Sequence, residues 1–396
     1  MMQHDQDMTP ANGPDRGSAA PFAQDELAGR TARLQRALAA HGAEALVLTG
    51  PENIYWATGR QTAGYFAFQA LVLPVQGRPI LLVRELERTG ARVSTWLEDI
   101  RTWQDGEDPA QALAAILREL RAGHVAIETE GWFVSPALFD RIRAALPDLR
   151  WTNGSGLAEG VRIVKSPAEL EALRRAAAYS QAGMRAAIDA CRAGVSENEI
   201  AAEMTAAAIR AGSDAMAMEP LISSGPRAGV PHATWRRRVL EPGDPVFLEL
   251  AASHDRYHAA LMRSVWIGPP PAEAQRMMDV ALRALDAALA AMRPGRPCSD
   301  VHDAAQAVID QAGYGDAFRK RIGYSMGIAF APDWGEGAIL SLFTGVDQAL
   351  EPGMAFHLPA TLRRFGAFTV GASETVILTP SGPEPLSDLP RQMILR

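Results

Sequence analysis

The amino-acid sequence predicts an α+β protein of two domains, a small N-terminal α/β domain and a larger C-terminal domain of helix pairs and strands. A chain of 396 residues is too long for one ordinary hydrophobic core. Up to about residue 150, apolar runs of strand length alternate with helical patterns. Beyond residue 160, long Ala-rich helices are followed by blocks of strand-like sequence. We therefore assign residues 26–160 to the first domain and 161–396 to the second.

Seven segments of the first domain show either the helical or the strand period. The helices are predicted in DELAGRTARLQRALAAHG, AQALAAILRELRAG and ALFDRIRAAL, and the strands in AEALVLT, in ALVLPV with PILLV on either side of a QGR turn, and in HVAIE. This alternation is typical of a small α/β sheet domain.

The second domain begins with a clear helix start. Ser166 is predicted to cap the helix, Pro167 lies in its first turn, and Glu169 completes a capping box. A second helix follows in ENEIAAEMTAAAIRAG, and another pair lies in PAEAQRMMDVALRALDAALAAMRPG and SDVHDAAQAVIDQAG, with strands after each pair. Two helix pairs, each followed by strands, suggest an internal duplication.

Composition restricts the classes of function. Residues 1–25 are polar and rich in Gly and Pro, so we expect a mobile tail and no signal peptide. No apolar run approaches the roughly 20 residues of a membrane span. Cys191 and Cys298 form no CxxC motif, which favours a reducing cytoplasm. A net charge of −7 argues against nucleic acid as a partner. We take Arg236–Arg238 as the single basic cluster, either a solvated turn or a contact to a carboxylate or another subunit.

Several segments, in order along the chain, resemble the creatinase/prolidase family. They are VRIVKSPAELEALRRAA at the domain junction, SGPRAGVPHATWRRRVLEPGDPVFLEL, RYHAALMRSVWIG, RIGYSMGIAFAPDWGE, LEPGMAFHLP and SETVILTPSG. The resemblance implies a C-terminal pita-bread domain, an N-terminal α/β creatinase-like domain and a homodimer. The strings GYSMGIAFAPDWGE and PGMAFHLP are similar to those of metal-free members such as ectoine hydrolase and creatinase.

The metallopeptidases of this fold bind two metal ions through two Asp, one His and two Glu, since divalent ions need several anionic oxygens. The residues found here at those five positions are Glu249, Ala260, Tyr324, His357 and, depending on the register of SETVIL, either Ser373 or Glu374. Alanine has no ligand atom and tyrosine is a poor ligand at neutral pH. The resemblance therefore implies no bound metal and no other cofactor.

Four residues are candidates for catalysis. His232 occupies the position of the catalytic His of creatinase and is suited to proton transfer near pH 7; the alternative is a hydrogen-bonded loop histidine. Glu249 lies in the apolar strand PVFLELA and is predicted to be a general base, or else a structural partner of Arg263. Tyr324 would donate a hydrogen bond to a developing oxyanion. His357 would bind or polarise substrate, or else be a core histidine.

Further residues are candidates for substrate binding: Tyr65, Phe66 and Gln69, by their position in creatinase, and Arg263, Glu374 and Trp334. The aromatic pair is either core or a wall suited to a compact cationic or cyclic substrate. Met262 and Gly335 replace two residues that bind creatine, which argues against creatine. Ala260 replaces the nucleophile of the ectoine hydrolase type, so a covalent intermediate at that position is excluded.

We therefore expect a cytoplasmic, homodimeric hydrolase that cleaves a C–N bond of a small polar metabolite without metal. His232 would move the proton and Glu249 would act as base, with neither nucleic acid nor membrane as a partner. One alternative is a metal-dependent Xaa-Pro dipeptidase. The other is a non-catalytic pita-bread binding module.

Overall fold

The computed structural model describes residues 21–396, which form two compact units divided between Ala158 and Glu159. Residues 1–20 of the predicted tail lie outside the described residues. The remainder of that segment is not a tail, because Phe22 is buried against the guanidinium group of Arg30 and the first helix begins at Gln24. No helix within residues 21–396 has the length and apolar character needed to cross a membrane.

The first unit contains a six-stranded mixed sheet in the order β4-β3-β2-β1-β5-β6. Its elements are α1 (Gln24–His41), β1 (Ala45–Leu48), α2 (Pro51–Thr58), a 3₁₀ turn (Gly64–Phe66), β2 (Ala70–Pro74), β3 (Ile80–Arg84), α3 (Arg88–Ser94), β4 (Ile100–Trp103), α4 (Pro109–Leu120), β5 (His124–Ile127), α5 (Pro136–Ala145) and β6 (Arg150–Asn153). Apolar residues of α4 and α5, among them Leu113 and Ile142, pack with Val47 and Val72 of the sheet.

The predicted helices and strands of this unit are present, and the sequence patterns missed four more elements. Strands β4 and β6 lie at the two edges of the sheet and consist of IRTW and RWTN, which lack a continuous apolar run. Helix α2 has only 8 residues and α3 only 7, too short to show a helical period.

The second unit contains two sheets, β11-β10-β12-β13-β14 and β15-β9-β8-β7. After α6 (Leu157–Arg162), its elements are α7 (Pro167–Ala190), α8 (Glu197–Ala211), β7 (Leu221–Ser224), β8 (Pro245–His254), β9 (Tyr257–Trp266), α9 (Ala272–Ala291), α10 (Cys298–Gln311), β10 (Gly323–Ser325), β11 (Ser341–Leu342), β12 (Ala355–Arg364), β13 (Phe368–Thr379), β14 (Gly382–Pro385) and β15 (Ile394–Leu395). The capping box of Ser166 and Glu169 is confirmed.

Each helix pair covers one sheet. Helices α7 and α8 pack on β8 and β9, and α9 and α10 pack on β12 and β13. The two sheets meet where hydroxyl groups of β13 bind the backbone of β9: Ser373 Oγ accepts a hydrogen bond from the Met262 amide at 2.7 Å, and Thr375 Oγ1 accepts one from the Ala260 amide at 2.9 Å. The two predicted helix pairs, each followed by strands, are therefore present.

Strand alternation decides which side chains face the helices. In β8, Leu248 and Leu250 belong to the core beneath α7 and α8, so Glu249 points to the other face. In β12, Leu358 and Leu362 belong to the core beneath α9 and α10, so the residues that alternate with them point away from it. The side chains of the two sheets that face away from the helices meet at a cavity.

Candidate active site

A cavity of about 600 Å³ lies in the second unit. Its walls come from the loop that follows β7, from β8 and β9, from the segment that leads into β10, and from β12. Three of the four predicted catalytic residues, His232, Glu249 and Tyr324, are among the residues that line it. The fourth, His357, is fully buried and does not reach the cavity wall.

Glu249 supplies the only carboxylate among the residues that line the cavity. Its cross-strand neighbours are Leu221 and Met262, both apolar. No side chain or amide within residues 21–396 lies within hydrogen-bonding distance of its carboxylate. Burial raises the pKa of Glu249 to about 7, and the charges of Lys320 and Arg363 oppose that rise. Such a group can both accept and release a proton at neutral pH.

A hydrogen-bonded chain runs behind the cavity wall. The amide of Met262 donates to Ser373 Oγ, Ser373 Oγ lies 2.7 Å from His357 Nε2, and His357 Nδ1 lies 2.8 Å from the Tyr324 hydroxyl oxygen. The indole Nε1–H of Trp334 also donates to the Tyr324 oxygen, at 3.2 Å.

We assign the direction of each hydrogen bond in this chain by requiring an acceptor for every buried donor. Ser373 already accepts from an amide, and the one acceptor in reach of its hydroxyl hydrogen among the described residues is His357 Nε2. His357 then carries its proton on Nδ1 and donates it to Tyr324, which also accepts from Trp334. The hydroxyl hydrogen of Tyr324 is left free to donate into the cavity.

The protonation states of the chain are consistent with this order. Burial and, to a smaller extent, the Lys320 charge together lower the pKa of His357 to about 3, so the ring is neutral at physiological pH. Burial, aided by the nearby Glu249, raises the pKa of Tyr324, so the phenol keeps its proton. The prediction that His357 contacts substrate is wrong, because both ring nitrogens are bound by hydroxyl groups. His357 is a core histidine that orients Tyr324.

His232 lies on the loop between β7 and β8, at a φ of 53°, and its side chain is exposed. The buried Glu197 anchors that loop on both sides of His232. Its carboxylate accepts hydrogen bonds from the amides of Ser224 and Arg236 at 2.8 and 2.6 Å, and from the Arg227 guanidinium at 2.7 Å. The His232 ring makes no hydrogen bond within residues 21–396. The alternative prediction, that His232 is a hydrogen-bonded loop histidine, is therefore not supported.

Three predicted substrate-binding residues of this unit do not line the cavity. Side chains alternate between the two faces of a strand, so Arg263 lies on the same face of β9 as Leu261 and Val265. It therefore points to the helix side of β9. It is fully buried and forms an ion pair of 2.9 Å with Glu374, which likewise faces the helix side of β13. Trp334 is buried beneath Tyr324. The alternative pairing of Glu249 with Arg263 is also wrong, since Glu374 is the partner of Arg263.

This arrangement decides between the two registers of SETVIL. Ser373 points to the same face as His357 and bonds to it, whereas Glu374 points to the opposite face. Ser373 is therefore the residue that stands at the fifth metal-ligand position.

Of the three predicted residues in the first unit, Gln69 is buried, and its amide oxygen accepts a hydrogen bond from Arg60 Nε at 3.2 Å. This contact makes Gln69 part of the interior of its unit. Tyr65 packs edge-on against Phe133 at 6.1 Å between ring centroids. Phe66 is 79% exposed and so is not a core residue.

The patterns missed a group of cationic residues. Arg319, Lys320, Arg321 and Arg363 all line the cavity. The statement that Arg236–Arg238 is the single basic cluster is therefore wrong, because FRKRIG holds a second one directly before Tyr324. In the first cluster, Arg238 binds the Asp244 carboxylate, which agrees with the carboxylate alternative.

Comparison with known proteins identifies the family to which the chain belongs. A model described as metallopeptidase family M24 matches residues 171–380, and a model described as the creatinase/prolidase N-terminal domain matches residues 30–164. This chain belongs to family M24. The resemblance to the creatinase/prolidase family and the predicted fold class are confirmed.

Relatives within family M24 act on different substrates. The chain is 30% identical to ectoine hydrolase of Halomonas elongata, over 95% of this chain and 98% of that one. It is 27% identical to an Xaa-Pro dipeptidase of Lactobacillus helveticus, over 81% of this chain and 89% of that one. A prolidase from Thermococcus sibiricus has the same fold, with a TM-score of 0.85 at 23% identity over 95% of this chain and all of that one. This chain is therefore a hydrolase of family M24.

The residues at the five metal positions do not fit the two metal ions that the family name implies. Glu249 is the one carboxylate among them. Ala260 packs in an apolar cluster with Met326 and Trp334. His357 has both nitrogens occupied by hydrogen bonds. Within residues 21–396, no group of three or more His, Cys, Asp or Glu side chains is arranged to hold a metal ion. A divalent ion would find one anionic oxygen donor group where it needs several.

Proposed function

We propose that this member of family M24 hydrolyses a C–N bond of a small polar metabolite and that it does so without a metal ion. The observation that carries the proposal is the replacement of the metal-ligand set by a hydrogen-bonded chain. His357 bonds to Ser373 on one side and to Tyr324 on the other, and Glu249 remains as a single carboxylate with a pKa raised by burial.

In the proposed reaction, the Glu249 carboxylate removes a proton from a water molecule. The water oxygen forms a bond to the carbon of the scissile C–N group, and the electron pair of the C=O or C=N bond moves to its heteroatom. Tyr324 donates its free hydroxyl hydrogen to that heteroatom, as an oxyanion-hole donor would. Because the phenol keeps its proton, it donates without transferring the hydrogen.

The second half of the reaction needs a proton for the leaving nitrogen. His232 is exposed at the cavity, on a loop that Glu197 binds on both sides of the histidine, and an imidazole side chain can carry this proton. The electron pair on the heteroatom then re-forms the C=O or C=N bond as the C–N bond breaks, and the electron pair of the C–N bond stays on the nitrogen, which His232 protonates. Glu249 keeps the proton of the water until product release.

The substrate class is proposed from the same features. The 30% identity to an ectoine hydrolase favours an amide or a cyclic amidine as the scissile group. An Xaa-Pro dipeptidase activity is a weaker candidate, since the residues at the metal positions do not fit metal ions. A purely docking role is weaker as well, because the cavity retains Glu249, His232 and Tyr324.

The test is a substrate screen by mass spectrometry. The purified protein is incubated with ectoine, creatine, cyclic amidines and Xaa-Pro dipeptides, each with a chelator and with added Mn²⁺. Hydrolysis of an amide or amidine metabolite in the presence of chelator supports the proposal. Cleavage of Xaa-Pro dipeptides that requires Mn²⁺ contradicts it, and no hydrolysis of any compound favours the docking role.

A further inference from the structure

The cavity carries an excess of positive charge. Arg319, Lys320, Arg321 and Arg363 line it, and Glu249 is its one acidic residue. The protein as a whole has a net charge of −7, so this concentration of cations does not follow from composition.

Two of the four cations already have contacts with the protein. The Arg321 guanidinium donates to the carbonyl oxygen of Gly337 at 3.2 Å and to Ser341 Oγ at 3.1 Å, and it lies over the Tyr324 ring. Arg319 is an exposed side chain that donates to the carbonyl oxygen of Asp316.

Lys320 and Arg363 also contact the protein, at the rings of Phe318 and Phe365 and at two threonine hydroxyl groups. Lys320 Nζ donates to Thr361 Oγ1 at 2.7 Å, and Arg363 Nε donates to Thr369 Oγ1 at 2.9 Å. Neither forms an ion pair with a carboxylate within residues 21–396. The two terminal nitrogens of Arg363 have no hydrogen bond there either. Thr361 and Arg363 lie on the same face of β12, two residues apart, so the Lys320 ammonium group bound to Thr361 lies on the face of the strand that carries Arg363.

Two part-buried positive charges in this position repel each other. An anion bound between them would reduce both this repulsion and the free-energy cost of burying each charge. Burial and, after it, the charge of Arg363 lower the pKa of Lys320. Glu249 interacts with both but is not in contact with either. The remaining wall is largely apolar and includes Phe247 and Met262.

We propose that Lys320 and Arg363 form a subsite for the carboxylate group of the substrate, which selects small organic acids as substrates. The inference rests on the proposed function, because it names the class of molecule on which Glu249 acts. The guanidinium fork of Arg363 and the ammonium group of Lys320 would together bind the two carboxylate oxygens. The scissile C–N group would then lie between this subsite and Glu249. This differs from the cationic substrate that an aromatic wall would favour.

Binding of a matched pair of probes tests the subsite without requiring catalysis. Benzoate and benzamide have nearly the same shape and differ in charge, and both fit a cavity of about 600 Å³. Isothermal titration calorimetry on the full chain should show benzoate binding at least tenfold more tightly than benzamide. Lys320→Gln and Arg363→Gln should each weaken benzoate binding about tenfold or more and leave benzamide unchanged.

Arg364→Gln is the matched control. Arg364 is the next residue on β12, points to the opposite face and pairs with Glu273 at 3.7 Å, so its loss should not change benzoate affinity. Lys320→Arg keeps the charge and should retain binding. Equal affinity of the wild-type protein for benzoate and benzamide would overturn the subsite, whatever the stability of the variants. So would unchanged benzoate affinity in both neutral variants. If benzoate binds selectively but no hydrolysis is found, the subsite stands and the proposed function fails.

Discussion

The proposed chemistry depends on the protonation of one buried carboxylate. Glu249 is 6% exposed in an apolar strand, and the cations that face it lie too far away to form ion pairs. Burial therefore outweighs their attraction, and its pKa rises to about 7. The group is ionised above that pH and is then able to take a proton from water.

Glu249→Gln is expected to lower kcat by about 10²-fold or more, because an amide cannot accept the proton. In the wild-type protein, kcat/KM should fall as the pH drops through about 7, where Glu249 becomes protonated. That acid limb should be absent from the residual activity of the variant. A pH–rate profile on the substrate from the screen measures both effects. Because ionising a buried carboxylate destabilises the fold, the variant should be no less stable than the wild type above pH 7.

The alkaline side of the same profile reports on Lys320. Burial lowers the pKa of Lys320 to about 7, so its positive charge is lost as the pH rises. Lys320→Arg should extend activity to higher pH.

If Glu249→Gln retains wild-type kcat, Glu249 is not the base.

Tyr324→Phe and Ser373→Ala test the hydrogen-bonded chain. Tyr324→Phe removes the donor and should lower kcat about 10²-fold with little change in KM. Ser373→Ala removes the group that fixes the protonated nitrogen of His357, so it should lower kcat about tenfold although Ser373 does not line the cavity. Steady-state kinetics separates the two parameters. Wild-type kcat in Ser373→Ala would show that the chain does not orient Tyr324.

Sequence patterns predicted the residues of this site unevenly. Glu249, His232 and Tyr324 were found because they stand at positions marked by family motifs. Ser373 and Glu374 were not distinguished, because the sequence does not show which of two neighbouring strand residues points to the helices. That is known only from the packing of the sheet. Lys320 and Arg363 were missed because they come from segments 43 residues apart and meet only across the hydrogen bond from Lys320 to Thr361 of β12.

At the scale of elements, the loop between β7 and β8 is organised by α8. Glu197 lies in the first turn of that helix, where negative charge is favourable, and its carboxylate binds the loop at Ser224, Arg227 and Arg236. His232 lies between these anchors. A carboxylate with no exposed surface therefore sets the position of an exposed histidine.

Glu197→Gln is expected to lower kcat/KM about tenfold or more, because the amide group places donors against the donors of the loop and displaces His232. Glu203→Gln, on the exposed side of the same helix, is the matched control and should be silent. A double-mutant cycle identifies the route of the effect. If Glu197 acts through His232, adding Glu197→Gln to His232→Ala should reduce kcat/KM no further. Additive losses would contradict a positioning role.

The long elements were the ones that sequence predicted well. The predicted capping box at Ser166 begins α7, and the helical period continues for 24 residues in α7 and for 15 residues in α8. Short edge strands such as β4 and the eight-residue α2 carry too few residues for a period and depend on tertiary contacts.

At the scale of the whole molecule, the homodimer is a proposal from the family resemblance. It assigns Tyr65 and Phe66 to the cavity of the partner subunit, and the exposure of Phe66 is consistent with a role outside its own core. Mixing Tyr65→Ala protein with His232→Ala protein should restore part of the activity, because some mixed dimers contain one intact site. Light scattering that shows an active monomer would contradict the proposal.

The central claim is that a hydrolase of family M24 works here without metal. Elemental analysis of the purified, active protein, combined with an activity assay in chelator, tests that claim most directly. With Ala260, Tyr324 and Ser373 at three ligand positions, we predict well under one transition-metal ion per chain and an activity that chelator does not change. Two tightly bound ions per chain, or activity that chelator abolishes and added Mn²⁺ restores, would contradict the account.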